Sequence, residues 1–96
     1  MKSIMQKEKQ CLVCGNTQVE EHHVIYGTAN RKLSEKYGLK VWLCNKHHTA
    51  SMYLDKSTAV HFNKTFDLKL KRMAQQKFEE AYPELDFLKI FGRNFL

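Results

Sequence analysis

A chain of 96 residues is bounded to one small domain, which buries only a modest share of its surface and for which a metal ion is a common staple. Hydrophobic residues at 43% and charged residues at 27% exclude wholesale disorder. A net charge of +6 with a pI near 9.3 points to a polyanion as partner, nucleic acid first, although a positive surface can also be merely solubilising.

Residues 1–10 are polar and charged and read as a frayed start or a short lead-in without the apolar core of a signal peptide. Cys11 to Gly15 reads as a metal knuckle, with Gly15-Asn16 supplying the tight turn. Val19 to Tyr26 is a strand candidate, β-branched towards both ends and broken by Gly27-Thr28. Asn30 to Tyr37 predicts a short helix closed by Gly38. Lys40 to Leu43 is a second strand running straight into Cys44. Thr49 to Leu54 reads as a helical turn anchored to the core by Met52, Tyr53 or Leu54, and Asp55 to Ser57 as a loop.

From Lys64 to Tyr82 the helical period is strongest. Phe66, Leu70, Met73, Ala74, Phe78 and Ala81 recur at steps of mostly three and four, a stripe that reads as core packing. Pro83 interrupts, and Leu85, Leu88, Ile90 and Phe91 predict a short closing helix over residues 84–91 before Gly92.

The chemistry sits in two knuckles and a surplus of histidines. Cys11-x-x-Cys14 and Cys44-x-x-His47 supply two ligands each, which suits one tetrahedral zinc ion held by thiolates and imidazole. An odd number of cysteines, three, does not suit a disulfide framework, and zinc-type spacing fits a reducing compartment. Five histidines are present and the knuckles use one. His22 and His23 adjoin in the first strand, where neighbours face opposite ways except at a strand end or bulge. His48 directly follows the second knuckle. His61 is the fifth, by itself an ordinary polar residue at a helix start.

The succession Cys-x-x-Cys, His22-His23-Val24-Ile25, Leu43-Cys44-x-x-His47-His48 resembles the HNH, or ββα-metal, nuclease family, above all the compact zinc-stapled members carried by phages and prophages. The blocks Asn30 to Leu39, Val60 to Asn63 and Ile90 to Phe95 are similar to the phage branch as well. The likeness runs from Cys11 to the C-terminus, with the specific motifs within residues 11–63. It implies an α+β fold in one domain spanning residues 1–96: the lead-in 1–10, a zinc-stapled ββα-metal core over 11–63, a long helix over 64–82 and the short one over 84–91. It further implies that His23 is the general base and that His22 and His48, with His61 as the remaining candidate, hold a catalytic divalent cation. The family usually has an asparagine a few residues before the second knuckle that helps to hold the base histidine. Here that region reads Gly38-Leu39-Lys40-Val41.

The implied activity is hydrolysis of DNA phosphodiester bonds with weak sequence specificity, since no base-reading element is evident. A neutral imidazole accepts a proton from water near neutral pH, and a divalent ion stabilises charge on the phosphate and the leaving oxygen. Imidazole ligands admit Mn²⁺, Ni²⁺ or Zn²⁺ beside Mg²⁺. Arg31, Lys32, Lys40, Lys69, Lys71 and Arg72 are the candidates for holding the phosphate backbone, each of them equally a residue of a solvated face. The expected setting is the cytoplasm of a bacterial host, with DNA as partner, no membrane, and phage replication, recombination or packaging proteins as further partners. The competing expectation is a zinc module that binds DNA or a phage replication or recombination protein without cutting.

Overall fold

A computed structural model describes residues 1–96 as an α+β fold with a two-stranded antiparallel sheet and three helices. Strand β1 is Glu20–His23, helix α1 Thr28–Tyr37, strand β2 Lys40–Leu43, helix α2 Lys64–Ala81 and helix α3 Phe87–Phe91. One-turn 3-10 segments stand at Asn45–His47 and Val60–Phe62. No helix is long and apolar enough to cross a membrane.

The sheet register is Glu20 with Leu43, Glu21 with Trp42, His22 with Val41 and His23 with Lys40. Partners across an antiparallel pair share a face, and neighbours along a strand alternate. Val41, Leu43 and His22 are therefore on the inner, buried side, while Glu21, His23, Lys40 and Trp42 share the outer one. That division sends His22 and His23 to opposite faces of one strand.

Strand β1 is half the predicted length. After His23 the chain turns into the core, burying Val24 and Ile25, and the Ser34 hydroxyl of α1 donates to the Ile25 carbonyl at 2.6 Å while accepting the Ile25 amide at 3.2 Å. Helix α1 begins at Thr28, two residues before its predicted start, and ends at Gly38 in the left-handed region, whose amide reaches the Glu35 carbonyl.

Leu70, Ala74 and Phe78, at steps of four, are the buried face of α2. Asn63 caps the helix by accepting the Phe66 amide at 2.9 Å. Phe78 centres an aromatic cluster with Tyr37, Phe87 and Phe91 at centroid distances of 5.2, 5.4 and 5.8 Å. Ala81, predicted on the stripe, is exposed, and Gln75 is buried, where it accepts the Phe95 amide and donates to Asn94. The closing helix starts at Phe87 rather than residue 84, because Pro83 to Leu85 form a turn and Asp86 supplies the cap.

Two further expectations are corrected. Residues 49–54 form turns, with Ala50 at φ 53°, and Met52, Tyr53 and Leu54 are 81%, 48% and 104% exposed rather than anchored in the core. Residues 1–10 are docked rather than frayed. The Ile4 amide donates to the Gly38 carbonyl at 2.9 Å, the Gln6 side chain accepts the Trp42 amide at 2.9 Å, and Ile4 and Met5 pack on the core. This segment covers the open edge of β2.

A Cβ at Gly38 would collide with the Lys2 carbonyl and come within 3.2 Å of the Ile4 amide nitrogen, whereas Gly92, at nearly the same φ, faces open space. Gly92→Ala should cost only backbone strain, of the order of 1 kcal/mol. Gly38→Ala should cost about 2–3 kcal/mol in urea unfolding, since the docked segment must also shift. Equal losses for the two would show that residues 2–4 do not close over Gly38.

Candidate metal centres

The first knuckle folds as a tight turn in which the Cys11 carbonyl accepts the Gly15 amide at 2.9 Å and the Cys11 amide donates to Asn16 at 2.8 Å. The second lies on the 3-10 turn after β2, where the Cys44 carbonyl accepts the His47 amide at 3.0 Å. The two turns bring the ligand atoms of Cys11, Cys14, Cys44 and His47 within 4.8 Å of one another. Cys14 Sγ and Cys44 Sγ are 3.7 Å apart, and His47 Nδ1 stands 3.7 Å from Cys11 Sγ and 3.2 Å from Cys44 Sγ. A zinc tetrahedron with Zn–S bonds of about 2.3 Å has sulfur–sulfur edges of about 3.8 Å. The four residues are thus disposed to hold one metal ion such as zinc.

Two of the thiols, Cys11 and Cys44, depart from the ordinary value in opposite directions. Burial opposes ionisation of Cys11, yet backbone hydrogen bonds from Cys44, Cys14 and Val13 outweigh it and lower its thiol to about 6. The Cys44 thiol is raised by burial, against a backbone bond from His47, with the Cys14 and Cys11 thiols adding to the rise. A bound cation reverses that rise, because a coordinating thiol is deprotonated.

The second cluster joins His22, His48 and His61, whose ligand atoms also lie within 4.8 Å of one another. The ring centroids are 5.1 Å apart for His22 with His48, 5.1 Å for His22 with His61 and 5.0 Å for His48 with His61. His22 is 2% exposed, and its Nε2 has no hydrogen-bond partner. An orphaned buried polar atom costs about 1–3 kcal/mol, and a cation at the centre of the three rings would satisfy it. Burial, then the nearby His48, His61, His23 and Lys71, lowers His22 to about 3; burial and His48 also lower His61. Both shifts favour the neutral ring, whose lone pair a metal can take. His48 Nδ1 lies 2.8 Å from Glu20 Oε1, which leaves its Nε2 as the ligand atom. Asn45 Nδ2 in turn reaches Glu20 at 3.3 Å. These three residues, too, could hold a metal ion.

His23 stands on the outer face of β1, beside this cluster. Its Nε2 lies 2.9 Å from Glu35 Oε1 and 3.4 Å from Glu21 Oε1. Both Glu35 oxygens are 3.0 Å from Lys40 Nζ. His23, the N-terminal amine and Lys40 together hold the Glu35 carboxyl far below the usual carboxylate range. A carboxylate at Nε2 favours the proton on that nitrogen and leaves Nδ1 as the acceptor.

One hollow, lined among others by His22, His23, His48, His61, Tyr26 and Arg31, opens over the three-histidine cluster. Of the six basic candidates, Arg31 lines this hollow, and Lys32 joins it beside His23 in an adjoining depression. Lys40 is engaged by Glu35 and Glu21. The other three lie along α2. Lys69 lines an apolar groove with Leu12, Val13 and Met73, Lys71 pairs with Asp67 at 2.7 Å over the Tyr26 ring, and Arg72 donates to the Phe95 carbonyl at 3.0 Å.

Sequence reasoning missed Glu20, Glu21 and Glu35. For the first two a signal existed: the period of two along Glu20-Glu21-His22-His23 pairs Glu20 with the His22 face and Glu21 with the His23 face. Comparison with protein-family models, with curated proteins and with solved structures gives no match.

The chain should carry one tightly held metal ion and a second, exchangeable one when incubated with Mn²⁺ or Ni²⁺. Cys14→Ser should strip the tight ion and lower Tm by many degrees, because metal binding there is folding free energy. His48→Ala should abolish only the exchangeable one. Elemental analysis after gel filtration, with Tm from circular dichroism, reads both, and loss of the tight ion in His48→Ala would refute two separate centres.

Proposed function

We propose that this chain is a metal-dependent endonuclease of the HNH type that hydrolyses DNA phosphodiester bonds with weak sequence specificity, and that it is of phage or prophage origin. The observation that carries the proposal is the buried, unpartnered Nε2 of His22 among His48 and His61, with a fourth histidine, His23, oriented by a carboxylate at the rim of the same hollow. A purely structural fold has no need of three imidazoles converging beside a polar opening.

In this reading Cys11, Cys14, Cys44 and His47 hold a structural zinc that fixes the β2 end and the following turn. His22, His48 and His61 hold a divalent cation, which when bound supplies Lewis-acid stabilisation of the phosphate and of the leaving oxygen. Nδ1 of His23 accepts a proton from the attacking water as its oxygen bonds to phosphorus. The bond from phosphorus to the 3′ oxygen breaks, and that oxygen takes a proton from solvent. Glu35 keeps the imidazole in the tautomer that makes Nδ1 basic, and its negative charge stabilises the imidazolium formed. Arg31, at the edge of the hollow, offers a planar fork to the phosphate oxygens.

His23→Ala should lower plasmid nicking by 10²–10⁴-fold, the usual contribution of a general base, while fold and metal content stay unchanged. Nicking retained in that variant overturns the role of His23. Wild type that binds DNA but fails to nick it with Mg²⁺, Mn²⁺ and Ni²⁺ would make the chain a zinc-stapled binding module instead.

A further inference from the structure

On the outer face of the sheet, Trp42 and Lys40 lie across from Glu21 and His23. The docked segment 1–10 runs beside this face, and the two enclose a hollow of about 490 Å³ whose lining includes Lys2, Lys7, Lys9, Lys40, Gln6 and Trp42. No carboxylate lines it. Lys40, at one end, is committed to Glu35 and Glu21, but Lys2, Lys7 and Lys9 have no ion-pair partner. Lys9 Nζ sits 5.0 Å above the Trp42 ring. These lysines do not belong to a loose tail, because the hydrogen bonds from Ile4 to Gly38 and from Trp42 to Gln6 hold their backbone against β2.

We infer that this hollow binds single-stranded nucleic acid, with a base stacked on Trp42 and the flanking phosphates on Lys2, Lys7 and Lys9. A positive trough that tracks a backbone, combined with an aromatic face, is the arrangement that recognises single strands without reading sequence. Lys9 leaves the ring for a phosphate when a base arrives, at little cost because its stem is flexible and exposed. An acidic peptide would meet the lysines equally well but has no planar group to set against the indole. Lys40 links the trough to Glu35 and so to His23, and a strand lying in it would pass the candidate base. The inference rests on the proposed nuclease function only for that last point, since the binding is read without cleavage.

Trp42 is the only tryptophan, so its fluorescence reports this site alone. Metal-loaded His23→Ala protein, titrated with a twelve-nucleotide oligothymidylate without added divalent ion, should show Trp42 quenching that saturates, and a weaker response to duplex of the same length. The affinity should fall with salt at a log–log slope near −2, about −0.7 for each of three phosphate contacts. Lys7→Ala/Lys9→Ala, read by anisotropy of a labelled strand, should lose about tenfold in affinity at low salt, with the slope reduced by about 1.4. The charge-matched Lys77→Ala/Lys89→Ala, outside the hollow, should keep the wild-type slope. Unquenched Trp42 on oligothymidylate binding, an unchanged slope in Lys7→Ala/Lys9→Ala, or equal quenching by polyglutamate overturns the inference. Quenching in a chain whose wild type never nicks DNA supports it and tells against the nuclease reading alone.

Discussion

The Cys44 carbonyl accepts two amides, those of His47 and His48, each at 3.0 Å. That shared hydrogen bond wraps the chain into a single 3-10 turn, and the turn swings two consecutive imidazoles apart. His47 Nδ1 faces the thiols of Cys44 and Cys11, whereas His48 Nδ1 meets Glu20 and its ring joins His22 and His61. Extended backbone would also separate neighbours, but only to the two faces of a strand. The turn separates them between two clusters that share one short stretch of chain, so whatever fixes the thiol set also fixes one wall of the histidine set. A metal on the four-ligand side would stiffen that wall, with Asn45 bracing Glu20 from the same turn.

The sheet does the complementary work on the other side. Its alternation buries His22 in the three-ring cluster and leaves His23 outside, reaching the rim of the same hollow from the strand end. Each of the two polar tasks then has its own carboxylate: Glu20, on the inner face, orients His48, and Glu35, from α1, orients His23. Glu35 reaches that position because α1 is inserted between the two strands and is tied back to Ile25 through Ser34. The helical tail contributes no ligand. Phe78, Phe87 and Phe91 bury the surface that a two-stranded sheet cannot cover by itself, since so small a sheet is marginal without a packed helix.

Much of this was legible because the relevant patterns are local. The two-residue spacings within each knuckle, the four-residue period of Leu70, Ala74 and Phe78, and the Gly38 stop after α1 follow from geometry within a turn or two of chain. The errors came where local pattern met a longer-range demand. Met52, Tyr53 and Leu54 looked like anchors but stand exposed, because the turn after His48 with Ala50 at φ 53° carries them outward. Residues 1–10 read as a frayed start or a short lead-in because they lack apolar periodicity, and their docking relies on Ile4, Met5 and a backbone hydrogen bond to Gly38.

What the sequence determined by itself was the inventory of candidate ligands: two knuckles, a histidine pair on a strand and another histidine beside a knuckle, since coordination chemistry constrains residue type and short spacing together. Tertiary structure decided which histidines converge. His61, equally a ligand or a helix-start residue on sequence grounds, stands 5.1 Å from His22, because Val60 is buried in the core and fixes the 3-10 turn that carries it. Tertiary structure also supplied Glu35, twelve residues from His23 along the chain yet 2.9 Å from its ring. No spacing rule reaches across a helix insertion, so that partner was set only by how α1 packs against the strands.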